Sequence, residues 1–400
     1  MRTAYKVRVY PTTEQAAVLN RTFGCVRLVW NTVLAWRQAR YRNESETTSY
    51  AQSDRYLTEL KRDGGHDFLY EVSSVPLQQA LRHQHTAFAN FFAGRAKYPR
   101  FKSRHGRQSA TYTRSAFRWR DGRLFLAKMD HPLEFVWSWP AVDPATINPT
   151  MVTITRDVDG RWYASLAMEE AAEPEPLPTG GASAGIDLGV TDFAVLSTGQ
   201  KVTNPRHLER KARNLARYQR RMARKQRGSN NRAKAKAKVA RAHTKVRDAR
   251  ADFLHRTSTR LVRDHDLIVI EDLNVKGMVR NRHLARAISD AGWGEFRRQL
   301  EYKTQRYGRR LVVIDRWYPS SKTCSACGHL LAALSLSTRH WSCPDCGTRH
   351  DRDVNAAKNI LAAGRAVSAC GADVSPQGSS LRRSAVKQET QPARGGIPRP

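Results

Sequence analysis

Four of the six cysteines in this 400-residue sequence lie in two closely spaced pairs. Cys324 and Cys327 have two residues between them, as do Cys343 and Cys346, and fifteen residues separate the pairs. A glycine follows the second cysteine of each pair, where it permits the tight turn that directs both sulfurs towards one metal ion. Four thiolates complete the tetrahedral shell of zinc and leave no open position. The spacing therefore predicts one structural Zn²⁺.

Three acidic residues lie where a strand or helix is expected to end or begin, in a chain with only 36 Asp and Glu against 69 Lys and Arg. Asp187 lies between two glycines, and Glu271 follows a continuous apolar run. Asp353 lies at a predicted helix start, two residues after Asp351. Each has an ordinary explanation: an aspartate near a hairpin turn, a solvent-facing carboxylate, and a helix N-cap. None alone indicates catalysis.

The combination of these carboxylates with a basic chain is more informative. The formal net charge of +33 and the pI of about 10.6 imply a polyanionic partner, and nucleic acid is favoured over an anionic membrane surface. Carboxylates that hold paired divalent ions are the ligands for phosphodiester cleavage. Sequence separations of 84 and 82 residues divide Asp187, Glu271 and Asp353, so only the fold could bring them together.

Residues 201–250 carry 19 Lys and Arg against 2 Asp and Glu, about half of the chain's excess charge. Apolar residues recur every three or four positions on both sides of a break at residues 228–231, which predicts two basic helices folded as a hairpin. Solvated helix faces usually mix Glu with Lys, so this composition favours nucleic-acid binding. The side chains expected to make contact are Arg213, Arg217, Arg220, Arg221, Arg224, Lys234, Lys238 and Arg241.

The amino-terminal half supplies a second candidate surface. A helix predicted over Val75–Phe92 carries Gln78 and Gln79, which could read base edges because glutamine pairs well with adenine in the major groove. Exposed amides on an amphipathic helix explain them equally well. Basic and aromatic residues interleave over residues 95–120, a composition typical of stacking on RNA or single-stranded DNA, although some of these aromatics are expected in the core. The candidate contacts there are Lys97, Arg100 and Lys102.

Hydrophobic periodicity predicts the elements that must position these residues. They are a strand at Tyr5–Tyr10, a helix that begins after Thr12, strands at Leu124–Ala127, Val152–Ile154 and Trp162–Leu166, a hairpin at Ser183–Leu196, a buried strand at Leu267–Ile270, a helix at Ala285–Tyr307, a strand at Leu311–Ile314, and a helix at Val354–Ala363 closed by Gly364. No apolar run is long enough for a spanning helix, and the cysteines are too few for a disulfide scaffold. We therefore expect an intracellular protein without a membrane partner.

The order of these motifs resembles that of the TnpB (OrfB) proteins of bacterial insertion sequences, relatives of the compact type V CRISPR effectors. The resemblance spans about residues 1–365. The segments that carry it are Gly185–Gly189 (GIDLG), Ile270–Asn274 (IEDLN), Ser320–Cys324 (SSKTC) before the cysteine pairs, and Asp351–Ile360 (DRDVNAAKNI), supported by Tyr10–Thr12 and Tyr98–Lys102.

The resemblance implies an α/β multidomain fold. An RNase H-like (RuvC) nuclease domain, with an inserted basic helical hairpin and a zinc ribbon, would follow a β-barrel wedge domain with a helical recognition insert. The expected divisions are the wedge at 1–40 and 106–172, the recognition insert at 41–105, a linker at 173–182, the RuvC-like domain at 183–319 and 350–367, the zinc ribbon at 320–349, and a disordered tail at 368–400.

The resemblance also implies the activity. Asp187, Glu271 and Asp353 would hold two catalytic Mg²⁺ ions, with Asp187 as the bridging ligand. Asp353 is chosen over Asp351 because the family acid lies two residues before Asn-Ala-Ala. A guide RNA from the transposon end would direct cleavage of double-stranded DNA beside a short transposon-adjacent motif. We expect the protein in the bacterial cytoplasm, acting at the nucleoid, with one copy per RNA favoured over several.

Two other functions use similar parts. A nuclease-inactive, RNA-guided repressor would have lost acids at the three positions, and this chain keeps all three. A strand-transferring transposase or resolvase would need a recombination nucleophile or a hairpin-processing activity, and no feature of the sequence demands either.

Overall fold

The computed structural model describes residues 2–140, 142–169, 176–335 and 337–369. Part of the predicted linker (173–175) and nearly all of the predicted tail lie outside these residues. Among the described helices, none is both long and apolar enough to cross a membrane.

In chain order the elements are β1 (Arg2–Val9), α1 (Thr13–Glu44), α2 (Tyr50–Arg62), α3 (Ser74–Phe92), β2 (Gln108–Thr113), β3 (Phe117–Arg120), β4 (Arg123–Leu126), β5 (Phe135–Val136), β6 (Met151–Arg156), β7 (Trp162–Glu169), β8 (Ser183–Asp187), β9 (Asp192–Leu196), β10 (Lys201–Thr203), α4 (His207–Ala223), α5 (Asn230–Asp264), β11 (Leu267–Glu271), α6 (Val275–Met278), α7 (Ala285–Ala291), α8 (Trp293–Arg306), β12 (Arg310–Ile314), β13 (His340–Ser342), β14 (Arg349–Asp351) and α9 (Arg352–Ala369).

The chain forms two compact units. The first unit comprises Met1–Pro178, Pro205–Arg260 and Asn281–Gly308, and the second comprises Thr179–Asn204, Leu261–Arg280 and Arg309–Pro400. Helix α4 and all of α5 up to Arg260 therefore belong to the first unit, whereas the domain division expected from the sequence grouped both helices with the nuclease-like part.

A five-stranded antiparallel sheet, in the order β2-β6-β7-β1-β5, lies at the core of the first unit. In β1 the side chains of Tyr5, Val7 and Val9 are buried, which confirms the predicted alternation with a period of two. The whole of β1 pairs with β7, so that Val9 lies opposite Trp162.

The long helix α1 begins where the sequence predicts. The Thr12 hydroxyl accepts a hydrogen bond from the Gln15 N–H at 3.2 Å, and the Gln15 side chain accepts one from the Thr12 N–H at 3.1 Å. This reciprocal capping box satisfies two N–H groups that the first turn would otherwise leave unpaired. Helix α3 matches the predicted Val75–Phe92 segment and buries Leu77 and Leu81.

Helices α4 and α5 are antiparallel, as the hairpin prediction requires. At the start of α4 the His207 ring lies 6.1 Å from that of Phe253, measured between centroids. At the other end, the Arg232 guanidinium donates to the carbonyl of Met222 at 3.1 Å. An ion pair between Arg161 and Asp248, at 2.6 Å, joins α5 to the start of β7 within the first unit.

The prediction of a single helix over Ala285–Tyr307 is wrong, because this segment forms two helices, α7 and α8, that are separated at Gly292. This residue has a left-handed backbone, with φ of 74°, and its N–H donates to the carbonyl of Ile288 to close α7. A Cβ at this position would lie 3.2 Å from Cδ of Arg250 and 3.3 Å from Cδ1 of Leu254. The glycine therefore permits both the break and the close approach of α5.

The second unit is built on a five-stranded mixed sheet in the order β10-β9-β8-β11-β12. Strands β8 and β9 form the predicted antiparallel hairpin, whereas β11 pairs in parallel with both β8 and β12. Ile268, Val269 and Ile270 are fully buried, as expected for an apolar strand covered on both faces.

Helix α9 packs across this sheet through two glycine contacts. A Cβ on Gly185 would lie 2.1 Å from the carbonyl oxygen of Ala357, so β8 approaches α9 backbone to backbone. The expectation that Gly364 closes the last helix is wrong, because α9 continues to Ala369. Instead, Gly364 lies against the side chain of Val269, where a Cβ would come within 2.4 Å of its Cγ1. This glycine makes room for a buried strand.

Candidate functional site

Parallel pairing of β8 and β11 brings two of the three predicted acids to one edge of the sheet. Asp187 is the last residue of β8, and Glu271 is the last residue of β11. The register places Ile186 opposite Ile270, so the acids that follow them leave the sheet side by side. Two carboxylates that are 84 residues apart in the chain thus become neighbours because their strands are neighbours.

Helix α9 delivers the third acid, Asp353, in its first turn. The pKa of Asp187 is raised to about 7, first by burial and then by the negative charges of Glu271 and Asp353, while Arg352 opposes the rise. Burial also raises the pKa of Glu271, and a hydrogen bond from the Ser320 hydroxyl at 2.5 Å works against that change. The charges of Glu271 and Asp353 therefore both act on Asp187, where negative charge is costly.

The neighbouring acid Asp351 is engaged elsewhere. One of its carboxylate oxygens accepts hydrogen bonds from the N–H groups of Asp353 and Val354, which caps α9, and the other lies 2.7 Å from Nζ of Lys201. Burial would raise the pKa of Asp351, but the Lys201 and backbone hydrogen bonds outweigh burial and lower it. Asp351 thus contacts Lys201 and the start of α9, whereas the charge of Asp353 acts on Asp187, and its carboxylate lies 3.5 Å from the guanidinium of Arg339.

The three carboxylates form a looser group than the four cysteines. Among the described residues, only the four cysteines place three or more His, Cys, Asp or Glu ligand atoms within 4.8 Å of one another. At least one pair among the carboxylates of Asp187, Glu271 and Asp353 is therefore separated by more than this distance.

The four predicted cysteines form a compact cluster in the second unit. The Sγ atoms of Cys324 and Cys346 are 3.7 Å apart, and those of Cys327 and Cys343 are 3.6 Å apart. Tetrahedral zinc with Zn–S bonds of about 2.3 Å would place its sulfurs about 3.8 Å apart. The cluster could therefore hold a structural metal ion, and its geometry fits zinc.

Two equivalent turns build this cluster. The Gly328 N–H donates to the carbonyl of Cys324 at 2.9 Å, and the Gly347 N–H donates to that of Cys343 at 3.0 Å. Both glycines have positive φ angles, 83° and 72°, which only glycine adopts easily. The buried His350 places Nε2 3.1 Å from the sulfur of Cys324.

Three side chains that the sequence did not single out connect the two clusters. Ser320 contacts Glu271, and its carbonyl accepts a hydrogen bond from the side chain of Asn359 at 2.8 Å. The Asn355 amide donates to the carbonyl of Thr323 at 2.7 Å and accepts from the Ser325 N–H at 2.9 Å. Both asparagines are buried on α9. The available signal for the asparagines was their four-residue spacing on an apolar helix, and all three residues lie in segments that carry the family resemblance.

The predicted nucleic-acid contacts differ in their exposure. The eight side chains predicted on the basic hairpin are all exposed, and none has an ion-pair partner within the described part of the chain. They lie on α4, on α5 or, for Arg224, directly after α4: Arg213, Arg217, Arg220, Arg221, Arg224, Lys234, Lys238 and Arg241. Gln78, Lys97 and Arg100 are exposed, whereas Gln79 is half-buried.

Lys102 is held by the protein itself. Its Nζ lies 4.0 Å from the centroid of the Trp30 ring, and burial lowers its pKa. Its backbone N–H donates to the side chain of Asn31 at 2.7 Å. These contacts give Lys102 a structural role in fixing the segment after α3.

Comparison with family models gives three matches. Residues 165–282 match a model described as "Probable transposase" (the OrfB protein of IS605), residues 293–360 match "Cas12f1-like, TNB domain", and residues 1–46 match "Helix-turn-helix domain". In the structure, residues 2–44 of this last region form one strand and a single long helix.

Similar chains cover nearly the whole length. A Streptomyces pristinaespiralis protein named "Putative RNA-guided DNA endonuclease" is 56% identical over 399 residues, which is 99% of this chain and 98% of the relative. The Escherichia coli K12 protein named "Putative RNA-guided DNA endonuclease InsQ" is 32% identical over 385 residues, 92% of this chain and 94% of the relative.

Among solved structures, the chain in "Cryo-EM structure of the Cas12f1-sgRNA-target DNA complex" superposes with a TM-score of 0.55 at 13% identity, over 88% of this chain and 83% of that one. The fold is therefore of the compact Cas12f1-like class. The two near full-length relatives show the family to which the protein is related. The chain belongs to the OrfB (TnpB) family of insertion-sequence proteins.

Proposed function

We propose that this protein is an RNA-guided DNA endonuclease of a transposable element, which cuts target DNA in a RuvC-like site in the second unit. The observation that carries the proposal is the convergence of Asp187, Glu271 and Asp353, with the pKa of Asp187 raised to about 7 in their shared environment. The names of the two long relatives and the likeness to a Cas12f1 chain support the same activity.

The three carboxylates would hold two Mg²⁺ ions. When bound, these ions would supply Lewis-acid activation of a water molecule and neutralise the leaving oxygen of the phosphodiester. Asp187, on which the charges of both other acids act, would be the shared ligand. Ser320 orients the carboxylate of Glu271, and Asp351 caps α9 so that its first turn presents Asp353 to the site.

The remaining surfaces would bind nucleic acid. Guide–target pairing would provide sequence specificity, while exposed arginines and lysines on α4 and α5 contact the backbone of the heteroduplex. Such contacts should weaken with salt, by about 0.9 log units of affinity per log unit of salt for each phosphate neutralised on B-DNA. Gln78 and Gln79 would read the transposon-adjacent motif, and one protein copy would serve one RNA.

The finer domain division is part of this proposal. It comprises a wedge with a helical insert in the amino-terminal half, and a RuvC-like domain that carries the zinc ribbon in the second unit. The four cysteines would hold one Zn²⁺ that stiffens the ribbon for contact with target nucleic acid.

Cleavage of a matched plasmid tests the proposal. The full-length protein is purified with its co-purifying RNA, and the RNA is sequenced. A plasmid that matches the RNA, with randomised base pairs at the flank of the target, is then incubated with MgCl₂. We expect a double-strand break, and the cut molecules will report the adjacent motif. Binding without cutting would indicate a repressor, and joined strands would indicate a transposase.

Substitution of one carboxylate ties this activity to the site. Asp187→Ala should abolish cleavage, while RNA retention and plasmid binding persist, because the guide and the basic helices are unchanged. The matched control is Asp264→Ala, which removes an exposed acid at the end of α5 and should cut like the wild type. Full cutting by Asp187→Ala would contradict the site assignment.

A further inference from the structure

The first unit contains an aromatic pocket, distinct from both candidate metal sites. This cavity of about 300 Å³ lies between the second half of α1, the end of α3 and the segment that follows α3. Its aromatic lining consists of Tyr41, Phe88, Phe91, Phe92 and Tyr98. Phe92 is 71% exposed and Tyr41 is 63% exposed. Aromatic surface left open to water around a concavity is typical of a binding site.

The rings of the aromatic pocket are held in place by one another. Tyr98 meets Phe88 edge-on, with centroids 5.4 Å apart and planes at 90°, and it meets Phe91 in the same way at 5.2 Å. Phe88 and Phe92 lie closer to parallel, at 6.3 Å and 26°. The pocket is therefore preformed, so a ligand does not have to organise its walls.

One wall of the pocket is polar. Arg37 is buried, with its guanidinium 4.1 Å from the centroid of Phe88 and a hydrogen bond of 2.7 Å to the carbonyl of Thr48. Thr48 is itself only 8% exposed, and its hydroxyl has no hydrogen-bond partner within the described residues. An unpaired buried hydroxyl is unfavourable unless a ligand satisfies it. The lining also includes Glu46, whose carboxylate is paired with Arg40, so the pocket combines stacking surfaces with one unused hydrogen-bonding group and one compensated acid.

Positive charge lies beside the pocket. Lys97 and Arg100 are exposed and flank Tyr98, which lines the cavity. The loop that carries them is anchored to α1, because the Trp30 indole donates to the carbonyl of Arg100 at 3.0 Å. A ligand with a flat ring and an adjoining anionic group would therefore meet complementary surfaces.

We propose that the aromatic pocket binds an unpaired base of RNA. The base would stack on Phe92 and Tyr98, its polar edge would reach the Thr48 hydroxyl, and the adjoining phosphates would contact Lys97 and Arg100. An apolar peptide would leave the hydroxyl unpaired and the charges unused. Residues 370–400 of this chain contain no aromatic ring that could occupy the pocket.

RNA is the better source of such a base than DNA. Proteins that recognise RNA mostly do so through unpaired bases that stack on aromatic side chains, whereas the bases of duplex DNA are stacked on one another. The choice of RNA rests on the proposed guide-RNA function, but the existence of the pocket does not.

Equilibrium binding of labelled oligonucleotides to the full-length protein tests the proposal. The probes are a mixed-sequence single-stranded RNA and double-stranded DNA of the same sequence. Phe92→Ala should weaken RNA binding about tenfold, within the range measured for loss of one base–aromatic stack, and should leave the salt slope unchanged. Lys97→Ala should instead lower that slope by about 0.7, the value for one phosphate on a single strand.

The matched control is Phe68→Ala, which removes another exposed phenylalanine of the first unit outside the pocket and should bind RNA like the wild type. Thr48→Val separates binding from folding. It should raise the melting temperature, because a buried unpaired hydroxyl is removed, and still weaken RNA binding several-fold.

Equal RNA affinity for Phe92→Ala and Phe68→Ala would overturn the pocket assignment. If Phe92→Ala weakened DNA binding as much as RNA binding, or more, the choice of RNA would be overturned. Plasmid cleavage by Phe92→Ala is scored separately, so that either proposal can fail alone.

Discussion

The two candidate metal sites of the second unit assemble their ligands in different ways. Each cysteine pair is formed by its own turn, with the Gly328 and Gly347 N–H groups each bonded to the carbonyl of the first cysteine. The carboxylate site takes one ligand from the end of β8, one from the end of β11 and one from α9. The first site depends on local turns, and the second depends on the whole sheet.

The two sites also differ electrostatically. The cysteine sulfurs already lie close to the spacing of a closed tetrahedral shell, so a metal ion there would have no open position for substrate. The carboxylates are more widely spaced, and the pKa of Asp187 is raised to about 7, first by burial and then by the negative charges of Glu271 and Asp353. Closed, local geometry suits a structural ion, whereas open, strained geometry suits ions that also bind substrate.

The largest expected effect comes from breaking the closed site. Cys343→Ser should reduce bound zinc from about one ion per chain to well below half, because structural zinc sites contribute about 10 kcal/mol or more to folding and need all their thiolates. Zinc is measured by elemental analysis, and hydrogen exchange over residues 320–351 reports the local unfolding that should follow.

The control for this prediction is Cys25→Ser, which replaces a buried cysteine of the first unit and should leave the zinc content unchanged. Retention of a full equivalent of zinc by Cys343→Ser, with unchanged exchange, would mean that the cluster is not a closed four-thiolate site.

Substitution in the carboxylate site should have the opposite effect on stability. Asp187→Asn should stabilise the metal-free protein above pH 7, because it removes a carboxylate whose pKa is raised from 3.8 to about 7. That difference corresponds to at most about 4 kcal/mol, and we expect a gain of about 1 to 4 kcal/mol in the free energy of unfolding. MgCl₂ should raise the melting temperature of the wild type and not that of the variant.

The pH dependence has a definite sign. Between about pH 4 and 7 the folded wild type binds more protons at Asp187 than the unfolded chain does, so its stability falls as the pH rises. The difference between variant and wild type should therefore grow through this range and level off above pH 7. A variant that is less stable than the wild type at pH 8 would show that Asp187 is not under electrostatic strain.

Sequence patterns predicted the features that depend on neighbouring residues. The capping box of Thr12 and Gln15 and the four-cysteine cluster both follow from short spacings, and the structure contains both. The strand-end position of Glu271 followed from the apolar run before it, and Asp187 was expected on a strand of the predicted hairpin. That these acids lie side by side required the parallel register, which no single segment encodes.

What the sequence could not supply were contacts across long separations. Gly292 interrupts a periodic helical pattern, and its lack of a Cβ lets α5 pack closely against it. Gly364 lies within α9, where its lack of a Cβ leaves room for the side chain of Val269. The Ser320 hydroxyl meets Glu271 across 49 residues. In each case a residue with an ordinary local preference acquires its role from a distant partner.

The smallest of these effects tests whether the two sites are independent. Ser320→Ala removes the hydrogen bond that orients Glu271. In the wild type this hydrogen bond partly offsets the rise that burial causes in the pKa of Glu271. Loss of such a supporting contact typically weakens metal binding by about 10- to 100-fold. We therefore expect plasmid cleavage to need more Mg²⁺ by a factor in this range, with a rate near that of the wild type at saturation. A magnesium titration measures it, and Ser320→Thr, which keeps the hydroxyl, should restore the wild-type requirement.

The zinc content of the same variant decides between two views of the second unit. Ser320 lies four residues before Cys324, and Asn359 holds its carbonyl, so the backbone at this point should stay in place when the hydroxyl is lost. If the sites are separate, zinc remains at one equivalent while the magnesium requirement rises, and the neighbouring Ser321→Ala changes neither. If Ser320→Ala releases zinc as well, the segment between the sites transmits strain. The closed cluster would then be part of the catalytic geometry rather than a local brace.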